Sequence, residues 1–465
     1  MRKSMLVVSI VLVLSVLLAA CQPAATPAAT EAPAATEAPA ATEAPAATEA
    51  PSATGAAEAV TLVVWDQFYR DVESGVIETL DKEFEAAHPG VKIERVSKTL
   101  DDLNTTVKLA LSEADGPDVS QVNQGRSSMG ALVEAGLLLP LDSYADQYKW
   151  NDRFSASVSS RNRFTEDGKT FGEGSLFGVS PTAEVVGVYY NKTKFEANGW
   201  TIPTTFDEFT KLLSTIKTAG ETPITFGNLD GWPGIHEFSS VQHILVDHDY
   251  MNNLVYGVNN VSFDTPENVQ AAQTMQDWVK AGYFTDGFAG IGYDDSTALF
   301  KSGQGAMMIT GSWLAGELAS SDQKFGFFLL PQKTADAPAF AIGGVGVPYA
   351  IRKTTAHADL AAAYLDWMTG SRAAQLWAEA QIVPAMPIPA ETKIEAGSIF
   401  ADTVAAWDKI NKDNGVGHYI DWATPTFYDT LVAELQKVFG EQTTPADAVK
   451  AIEADYAAFL AGTTK

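Results

Sequence analysis

Tryptophans and acidic or amide side chains occur together at the ends of apolar segments in this chain. Trp65 is followed directly by Asp66 and Gln67, and Asp230 lies two positions before Trp232. An indole ring offers a flat face for stacking on CH groups, while carboxylates and amides bond hydroxyl groups. This combination favours the binding of a neutral carbohydrate.

The complete set of candidate contacts is drawn from predicted strand ends and loops. Its members are Trp65, Asp66, Gln67, Asn123, Gln124, Glu184, Asp230, Trp232, Trp313, Asp421 and Trp422. For any single tryptophan, core packing is an alternative, and for any single polar residue a loop or capping role is an alternative. The sequence near them contains no cluster of Arg or Lys and no glycine-rich phosphate loop, which disfavours an anionic ligand.

Alternating strands and helices position the first of these residues. The predicted elements are strands at 60–68, 91–96 and 117–122 and helices at 72–87 and 100–111. This alternation predicts a parallel sheet with helices on its faces. Ligands of such sheets bind beyond the carboxyl ends of the strands, which is where Gln67 and Asn123 are expected.

The segment 176–195 is predicted to connect two lobes. An extended stretch is interrupted at Pro181, a second strand rich in Val and Tyr follows, and Asn191 precedes a helix. The alternative is that this segment is an ordinary connection between two elements and not a hinge. The position of Glu184 just after the break favours a hinge whose polar side chain faces a cleft.

The second half of the chain has its own element signals. Thr205 and Glu208 form a predicted capping box, and a helix runs from there to Gly220. A strand is predicted at 223–227 and another at 306–310, the latter ending just before Trp313. Their ends place further candidate contacts in the same cleft.

Length, charge and histidine spacing limit which domain organisation, partners and functions are possible. The 465 residues exceed what one core usually supports, so two lobes are expected. With 31 basic and 58 acidic residues the net charge is −27, which argues against nucleic acid or an anionic lipid surface as partner. The histidines form no HExxH motif, and no metal or cofactor is expected.

The amino terminus is predicted to direct export. Arg2 and Lys3 precede a short apolar run, so residues 1–20 are predicted to be a signal peptide. Cys21 is the only cysteine in the chain. The alternative to a functional Cys21 is an ordinary cleaved signal peptide in which this cysteine has no function. The rest of 21–58 repeats TEAPAA, has no large apolar side chains, and is predicted to be a disordered tether.

Several motifs resemble one known family. The segment 18–21 (LAAC) resembles the lipobox of bacterial lipoproteins, in which the cysteine is acylated. From residue 59 onward, the chain resembles extracellular solute-binding proteins of ATP-driven importers, in the sugar-binding branch that includes maltose-binding protein. The matching segments are 60–65 (VTLVVW), 116–119 (GPDV), 135–141 (AGLLLPL), 184–192 (EVVGVYYNK), 300–313 (FKSGQGAMMITGSW), 343–344 (GG) and 382–386 (IVPAM).

The resemblance implies an α/β, two-lobed periplasmic-binding-protein fold with a hinge and an interlobe cleft. It implies an N-terminal lobe of residues 59–182 and 342–392 and a C-terminal lobe of residues 183–341 and 393–465. It also adds Gly344 to the candidate ligand contacts. The implied partners are a carbohydrate and the permease subunits of an ABC transporter, and the chain is expected to be a monomer.

The implied location is the outer face of the cytoplasmic membrane, with a lipid anchor at Cys21. The cleft would capture solute without chemistry, so no catalytic residue is expected. A glycoside hydrolase is the enzymatic alternative, since it also uses paired carboxylates and aromatic platforms. A polyol or another polar solute as ligand, and a structural surface protein, remain further alternatives.

Overall fold

The computed structural model describes residues 59–154 and 156–463. The predicted signal peptide, Cys21 and the predicted tether lie outside the described residues. The strands are β1 (Val60–Asp66), β2 (Val91–Ser97), β3 (Val119–Gln121), β4 (Arg163–Phe164), β5 (Ser175–Leu176), β6 (Ala183–Asn191), β7 (Met307–Gly311), β8 (Phe325–Phe328), β9 (Ala341–Val345), β10 (Tyr349–Ile351) and β11 (Val416–Gly417).

Helices cover both faces of the sheets that these strands form. They are α1 (Asp71–Ala87), α2 (Leu100–Ser112), α3 (Ala131–Glu134), α4 (Asp142–Tyr148), α5 (Trp150–Arg153), α6 (Ala156–Ser160), α7 (Lys192–Asn198), α8 (Phe206–Thr218), α9 (Trp232–Leu245), α10 (His248–Tyr256), α11 (Pro266–Lys280), α12 (Tyr293–Lys301), α13 (Ala315–Ala319), α14 (Ala358–Met368), α15 (Ser371–Glu379), α16 (Ile399–Lys412), α17 (Phe427–Phe439) and α18 (Pro445–Thr463).

The first lobe is built on a sheet of order β10-β3-β1-β2. β1 is parallel to β2 and to β3, with Val60 opposite Val91, and β10 is antiparallel to β3. Leu62 and Val64 of β1 are buried in one core with α1, α14 and α15. The parallel pairing places the carboxyl ends of β1 and β3 at the same edge of the sheet, as the alternation of strands and helices predicts.

The second lobe is built on a sheet of order β11-β9-β6-β7, with β8 also paired to β6. Alternate residues of β6 enter two cores. Val186 and Val188 pack with the core that contains α8, α9 and α11, whereas Val185 and Tyr189 pack with the core that contains α16. Because side chains alternate along a strand, β6 is buried on both faces and forms the centre of this lobe.

Two predictions of local structure differ from the fold. The predicted strand at 223–227 is reduced to Ile224, which bridges to Phe284 and Met307 as isolated pairs. Trp232, expected in a loop, is the first residue of α9 and is followed there by Pro233. A proline at the start of a helix costs no hydrogen bond, and this signal marks the start of α9.

Three chain segments cross between the two sheets. Val179 bridges Tyr349, Ala183 pairs with Val345, and Thr182 bridges Pro384. The amide of Ala183 donates to the carbonyl of Val383 at 2.8 Å. These crossings at 180–182, 346–348 and near 383–385 form the connection between the lobes, and Pro181 lies within the first of them.

Candidate interlobe binding site

A cavity of about 460 Å³ lies between the lobes, next to the crossing segments. The first lobe, the crossing segments and the second lobe all contribute lining residues. This volume falls in the range of small-molecule sites. The cavity is therefore the candidate binding site.

Rings of the second lobe that pack against one another in tilted and edge-on arrangements line one side of this cavity. Trp232 lies with its ring centroid 4.4 Å from that of Tyr293 and 6.4 Å from that of Trp313. The imidazole of His236 continues the row, because it is 4.9 Å from Trp232 and 5.3 Å from Tyr419. We call this surface the aromatic wall, and it consists of Tyr293, Trp232, Trp313, His236, Tyr419 and Trp422.

Hydrogen bonds hold two rings of the aromatic wall, Trp313 and Tyr293, in place. The indole Nε1 of Trp313 donates to the hydroxyl of Tyr293 at 2.8 Å, and that hydroxyl also bonds Thr310 at 2.9 Å. The backbone amide of Tyr293 donates to Asp230 Oδ2 at 2.7 Å. Burial lowers the pKa of His236 to about 3, so its ring is neutral. The wall is therefore a preorganised, uncharged surface.

The first lobe lines the opposite side with short polar side chains. Gln67 follows β1, Asn123 follows β3, and Thr99, Asp101 and Asn104 come from the start of α2. We call these five residues the polar wall. They lie at the carboxyl edge of the parallel strands, and they supply donors and acceptors without a large apolar face.

Glu184 lies in the crossing region between the two walls. The hydroxyl of Tyr419 donates to Glu184 Oε1 at 2.8 Å. Burial raises the pKa of Glu184 to about 7, although the Tyr419 bond and the nearby Arg161 guanidinium act in the opposite direction. Glu184 therefore changes protonation near neutral pH.

Asp421 is a second carboxylate that faces the cavity. Its side chain is 9% exposed, and burial raises its pKa to about 6. Within the described part of the chain, its carboxylate accepts no hydrogen bond from another residue. This carboxylate is therefore free to accept a hydrogen bond from a ligand hydroxyl in the cavity.

The charge of the cavity lining is strongly acidic. The carboxylates are those of Glu73, Asp101, Glu184, Asp230, Asp294, Asp295 and Asp421. Among the lining residues only Arg70 is a cation, and its Nη2 donates to Asp294 Oδ1 at 2.6 Å. Because this cation already has an anionic partner, the site disfavours a phosphate or carboxylate ligand.

Most of the candidate contacts predicted from the sequence come together here. The lining contains Gln67, Asn123, Glu184, Asp230, Trp232, Trp313, Asp421 and Trp422. They come from separate elements of both lobes and from the crossing segments. Their role in binding remains a prediction, and the cavity gives that prediction a common location.

Four candidates do not line the cavity. Trp65 lies under the ammonium of Lys98, 4.4 Å from it, and Asp66 is fully buried in an ion pair with Arg95 at 2.6 Å. Gln124 donates its side-chain amide to the carbonyl of Val345 at 3.1 Å. These contacts give each residue a structural role in place of the predicted ligand contact.

Gly344 is the fourth of these candidates. Its backbone conformation explains why a glycine occupies this position. Its φ of +144° is a conformation that other residues rarely adopt, and an added Cβ would lie 2.7 Å from Arg161 Nη1. The Arg161 guanidinium is 3% exposed and donates to the carbonyl of Gly343 at 2.7 Å. Gly344 therefore admits Arg161 against β9, which is a packing requirement.

Sequence reasoning missed several lining residues, including Tyr69, Asp101, His236, Tyr293 and Tyr419. His236 and Tyr293 lie in α9 and α12, away from predicted strand ends. Tyr419 lies two positions before Asp421, so proximity in sequence to a predicted contact was an available signal. Asp101 is at the start of α2, directly beyond the carboxyl end of β2.

Among residues 59–154 and 156–463, no group of three or more His, Cys, Asp or Glu side chains could hold a metal ion. No helix within the same ranges is long and apolar enough to cross a bilayer.

A family model for bacterial extracellular solute-binding proteins matches residues 70–375. The chain belongs to this family. This match confirms the predicted family. The two relatives described next are both named as binding proteins. The Multiple sugar-binding protein of Streptococcus mutans is 26% identical over 321 residues, 63% of this chain and 68% of that protein. The diacetylchitobiose binding protein NgcE of Streptomyces coelicolor is 22% identical over 275 residues, 56% of each chain.

The chain covers only part of the length of several further relatives. This solute-binding protein spans 54–66% of their lengths. One of them, the sn-glycerol-3-phosphate-binding periplasmic protein UgpB of Rhizobium meliloti, is 23% identical over 308 residues, which cover 62% of this chain and 66% of UgpB.

Solved structures confirm the two-lobed α/β fold. A chain from a study of xylan utilization by the thermophilic bacterium Caldanaerobius polysaccharolyticus aligns with a TM-score of 0.75 at 23% identity, covering 85% of this chain and 99% of that one. A chitin oligosaccharide binding protein aligns with a TM-score of 0.74 at 19% identity, covering 86% and 100%. At these identities the likeness concerns the fold alone.

Proposed function

We propose that this solute-binding protein captures a neutral carbohydrate between the aromatic wall and the polar wall. The observation that carries the proposal is the pairing of the two walls across one interlobe cavity. A sugar ring has CH faces that stack on indoles and an equatorial rim of hydroxyls that bond carboxylates and amides. Sugar-binding relatives support this class of ligand.

The charge of the lining supports a neutral sugar over a phosphate ester. A ligand like that named for UgpB would bring negative charge among seven carboxylates. Arg70 offers little compensation because it bonds Asp294. Sugar hydroxyls instead donate to these carboxylates, and Asp421 is an acceptor without another partner among the described residues.

The proposed contacts are those predicted residues that line the cavity, together with the rest of the aromatic wall. Trp232 and Trp313 would stack on the sugar, while Glu184 and Asp421 would accept bonds from hydroxyls. Gln67 and Asn123 would bond the same ligand from the first lobe. Each contact would bridge to the opposite wall through the ligand and favour closure.

The transport role is part of the same proposal. The lobes would be 59–182 with 346–392 and 183–345 with 393–465. The predicted boundary at residue 342 lies inside β9, and the pairing of β9 with β6 over 343–345 supports a boundary after Val345 instead. Closure about the crossings would present a surface that the permease subunits of an ABC transporter recognise. The bound sugar would leave chemically unchanged.

We further propose that Cys21 carries the lipid anchor and that the segment to residue 58 tethers a monomeric binding domain at the outer face of the cytoplasmic membrane. More than one acyl chain would make the anchor stable. The expected result is that Cys21→Ser moves the protein from the membrane fraction to the soluble fraction. Retention of this variant in the membrane fraction would contradict the anchor.

A thermal-shift screen tests the ligand class. The domain from residue 59 is mixed with neutral mono- and oligosaccharides, and with polyols, uronic acids, sugar phosphates and amino acids as controls. A neutral sugar should raise Tm in a concentration-dependent way, because it binds the folded state alone. The sugar should be recovered unchanged, since consumption of it would indicate an enzyme.

Variants then connect the ligand to the cavity. Trp313→Ala should weaken binding of the selected sugar without unfolding the domain, and Trp200→Ala is the matched control. Trp200 packs edge-on against Phe195, with ring centroids 5.7 Å apart, and does not line the cavity. Equal affinity of the Trp313 variant and the wild type would remove this wall from the site.

A further inference from the structure

One carboxylate of the second lobe is held by two neighbouring residues of the first. Tyr69 donates its hydroxyl to Asp294 Oδ2 at 2.6 Å, and Arg70 donates through Nη2 to Asp294 Oδ1 at 2.6 Å. Both oxygens of the carboxylate are therefore bonded across the lobes. We call these three residues the latch.

The latch separates the binding cavity from a surface groove. Its three residues line the 460 Å³ cavity, and the same three line an outer groove of about 770 Å³. The groove continues along α12 and α13, outside the aromatic wall. Movement of Asp294 away from Tyr69 and Arg70 would therefore open the cavity toward this groove.

The latch is also connected to the aromatic wall. Asp294 follows Tyr293, whose hydroxyl accepts from Trp313 and whose ring lies 4.4 Å from that of Trp232. The guanidinium of Arg70 lies 5.7 Å from the Tyr293 ring centre, within the range of a cation–π contact. A ligand stacked on the wall would restrict Tyr293 and thereby the adjacent latch carboxylate.

Arg70 has a second partner within its own lobe. Its Nη1 lies 3.8 Å from Glu73 Oε2, and the Glu73 side chain is buried. When the latch opens, Arg70 can therefore remain beside the Glu73 carboxyl, whose pKa burial raises to about 7. This lowers the cost of releasing Asp294 when Glu73 is ionised, because the guanidinium then keeps an ion-pair partner in both states.

We propose that the Asp294 latch ties the two lobes together at this edge of the cavity and sets the rate at which ligand is released. Asp294 is the moving element, and Tyr69 and Arg70 are its fixed partners. The effect on ligand release rests on the proposed function, whereas the effect on the distance between the lobes does not. The two parts can therefore fail separately.

Lobe distance in the full-length protein tests the latch without a ligand. Spin labels are placed at Leu109→Cys in the first lobe and Ile202→Cys in the second, whose parent side chains are 68% and 44% exposed. Cys21→Ser removes the only other thiol. Asp294→Asn is compared with Asp295→Asn, which removes the same charge from the same first turn of α12 but has no bond to the first lobe among the described residues.

The population with a long interlobe distance should rise about three- to tenfold in Asp294→Asn, because a charge-assisted bond to Arg70 is lost. Tyr69→Phe should shift the distribution in the same direction by less, and it keeps the packing of the ring. Asp295→Asn should match the parent. An unchanged distribution in Asp294→Asn, or an equal shift in Asp295→Asn, overturns the latch.

Stopped-flow dissociation of the sugar selected by the thermal screen tests the second part. Release should be about three- to tenfold faster from Asp294→Asn than from the wild type. An unchanged rate overturns the role in release. If no sugar on the panel binds the wild type, the proposed function fails, and the distance distributions still decide whether the latch exists.

Discussion

The two walls of the cavity differ in chemistry and in how firmly they are held. The aromatic wall is a row of large rings in mutual contact, and three of them are also hydrogen-bonded: Trp313 to Tyr293, Tyr293 to Thr310 and Tyr419 to Glu184. The polar wall is made of short side chains, and Asp101 and Asn104 are exposed on the first turns of α2. One wall is therefore preorganised, and the other depends on the ligand for its bonds.

This difference indicates an order of events. A ligand loses less conformational entropy when it binds to a surface that is already fixed, so initial contact with the aromatic wall is favoured. The polar wall then bonds the exposed hydroxyls as the lobes close. We expect affinity to depend mainly on the second lobe and closure to depend mainly on the first.

Removal of the Trp232 ring, which is central in the aromatic wall, should cause the largest loss of affinity for the sugar. Trp232 contacts Tyr293, His236 and Trp313, so Trp232→Ala removes a stacking surface and loosens its neighbours. Affinity for the selected sugar should fall about 30- to 100-fold, in the range of a buried aromatic hot spot. Isothermal titration checks this, with Trp200→Ala as control. A loss below twofold would contradict the dominance of this wall.

The carboxylate between the walls should make binding depend on pH. The ionised form of Glu184 is the better acceptor for a sugar hydroxyl, and its pKa is about 7. Affinity should therefore rise about three- to tenfold between pH 5.5 and 8. In Glu184→Gln this rise should be reduced, and a rise of equal size in that variant would assign the pH dependence elsewhere.

The same pKa has a consequence for stability. The folded-state pKa lies above the ordinary value of 4.5, so the folded protein keeps a proton that the unfolded chain releases between about pH 4.5 and 7. The free energy of unfolding of the ligand-free wild type should therefore receive a decreasing contribution from Glu184 as pH rises through this window. Urea titrations of the wild type and Glu184→Gln at both ends of the window measure the difference.

A smaller loss is expected on the polar wall. Asn123→Ala removes one amide that lines the cavity, and a single neutral hydrogen bond contributes about 1 kcal/mol. The affinity should fall about three- to tenfold, again by isothermal titration. A loss larger than that of Trp232→Ala would reverse the ranking of the two walls.

The smallest change in affinity is expected for Trp65, which was predicted from the sequence to contact the ligand but lies outside the cavity. Trp65 packs under Lys98 and does not line the cavity. Trp65→Ala should leave affinity within twofold, although it can lower Tm. A tenfold loss of affinity at unchanged fold would show that the ligand extends beyond the cavity.

The sequence predicted the framework where local signals and the fold agree. The parallel sheet of the first lobe follows from regular alternation of apolar strands and amphipathic helices. The predicted N-cap of α8 forms, since Thr205 Oγ1 accepts from the amide of Glu208 at 3.2 Å, while the Glu208 carboxylate bonds the amide of Thr204, one residue before the cap, at 2.8 Å. These signals are short-range and can be recognised in one sequence.

The strand-end rule selected residues that mostly line the candidate cavity, but it also selected some that lie elsewhere. Asp66 is still inside β1, where Arg95 of the neighbouring strand pairs with it, and only the next residue, Gln67, reaches the cavity. His236 and Tyr293 reach it from helices, where a polar or aromatic residue has no distinctive pattern. Their inclusion depends on how α9 and α12 pack, which is a tertiary property.

A crystal structure of the protein with the sugar selected by the thermal screen tests the central claim most directly. The account predicts a CH face of the sugar within about 4 Å of Trp232 or Trp313. It also predicts hydroxyls within hydrogen-bond distance of Glu184 or Asp421, with at least one bond to the polar wall. A sugar bound outside the cavity, or held there without contact to the aromatic wall, would contradict it.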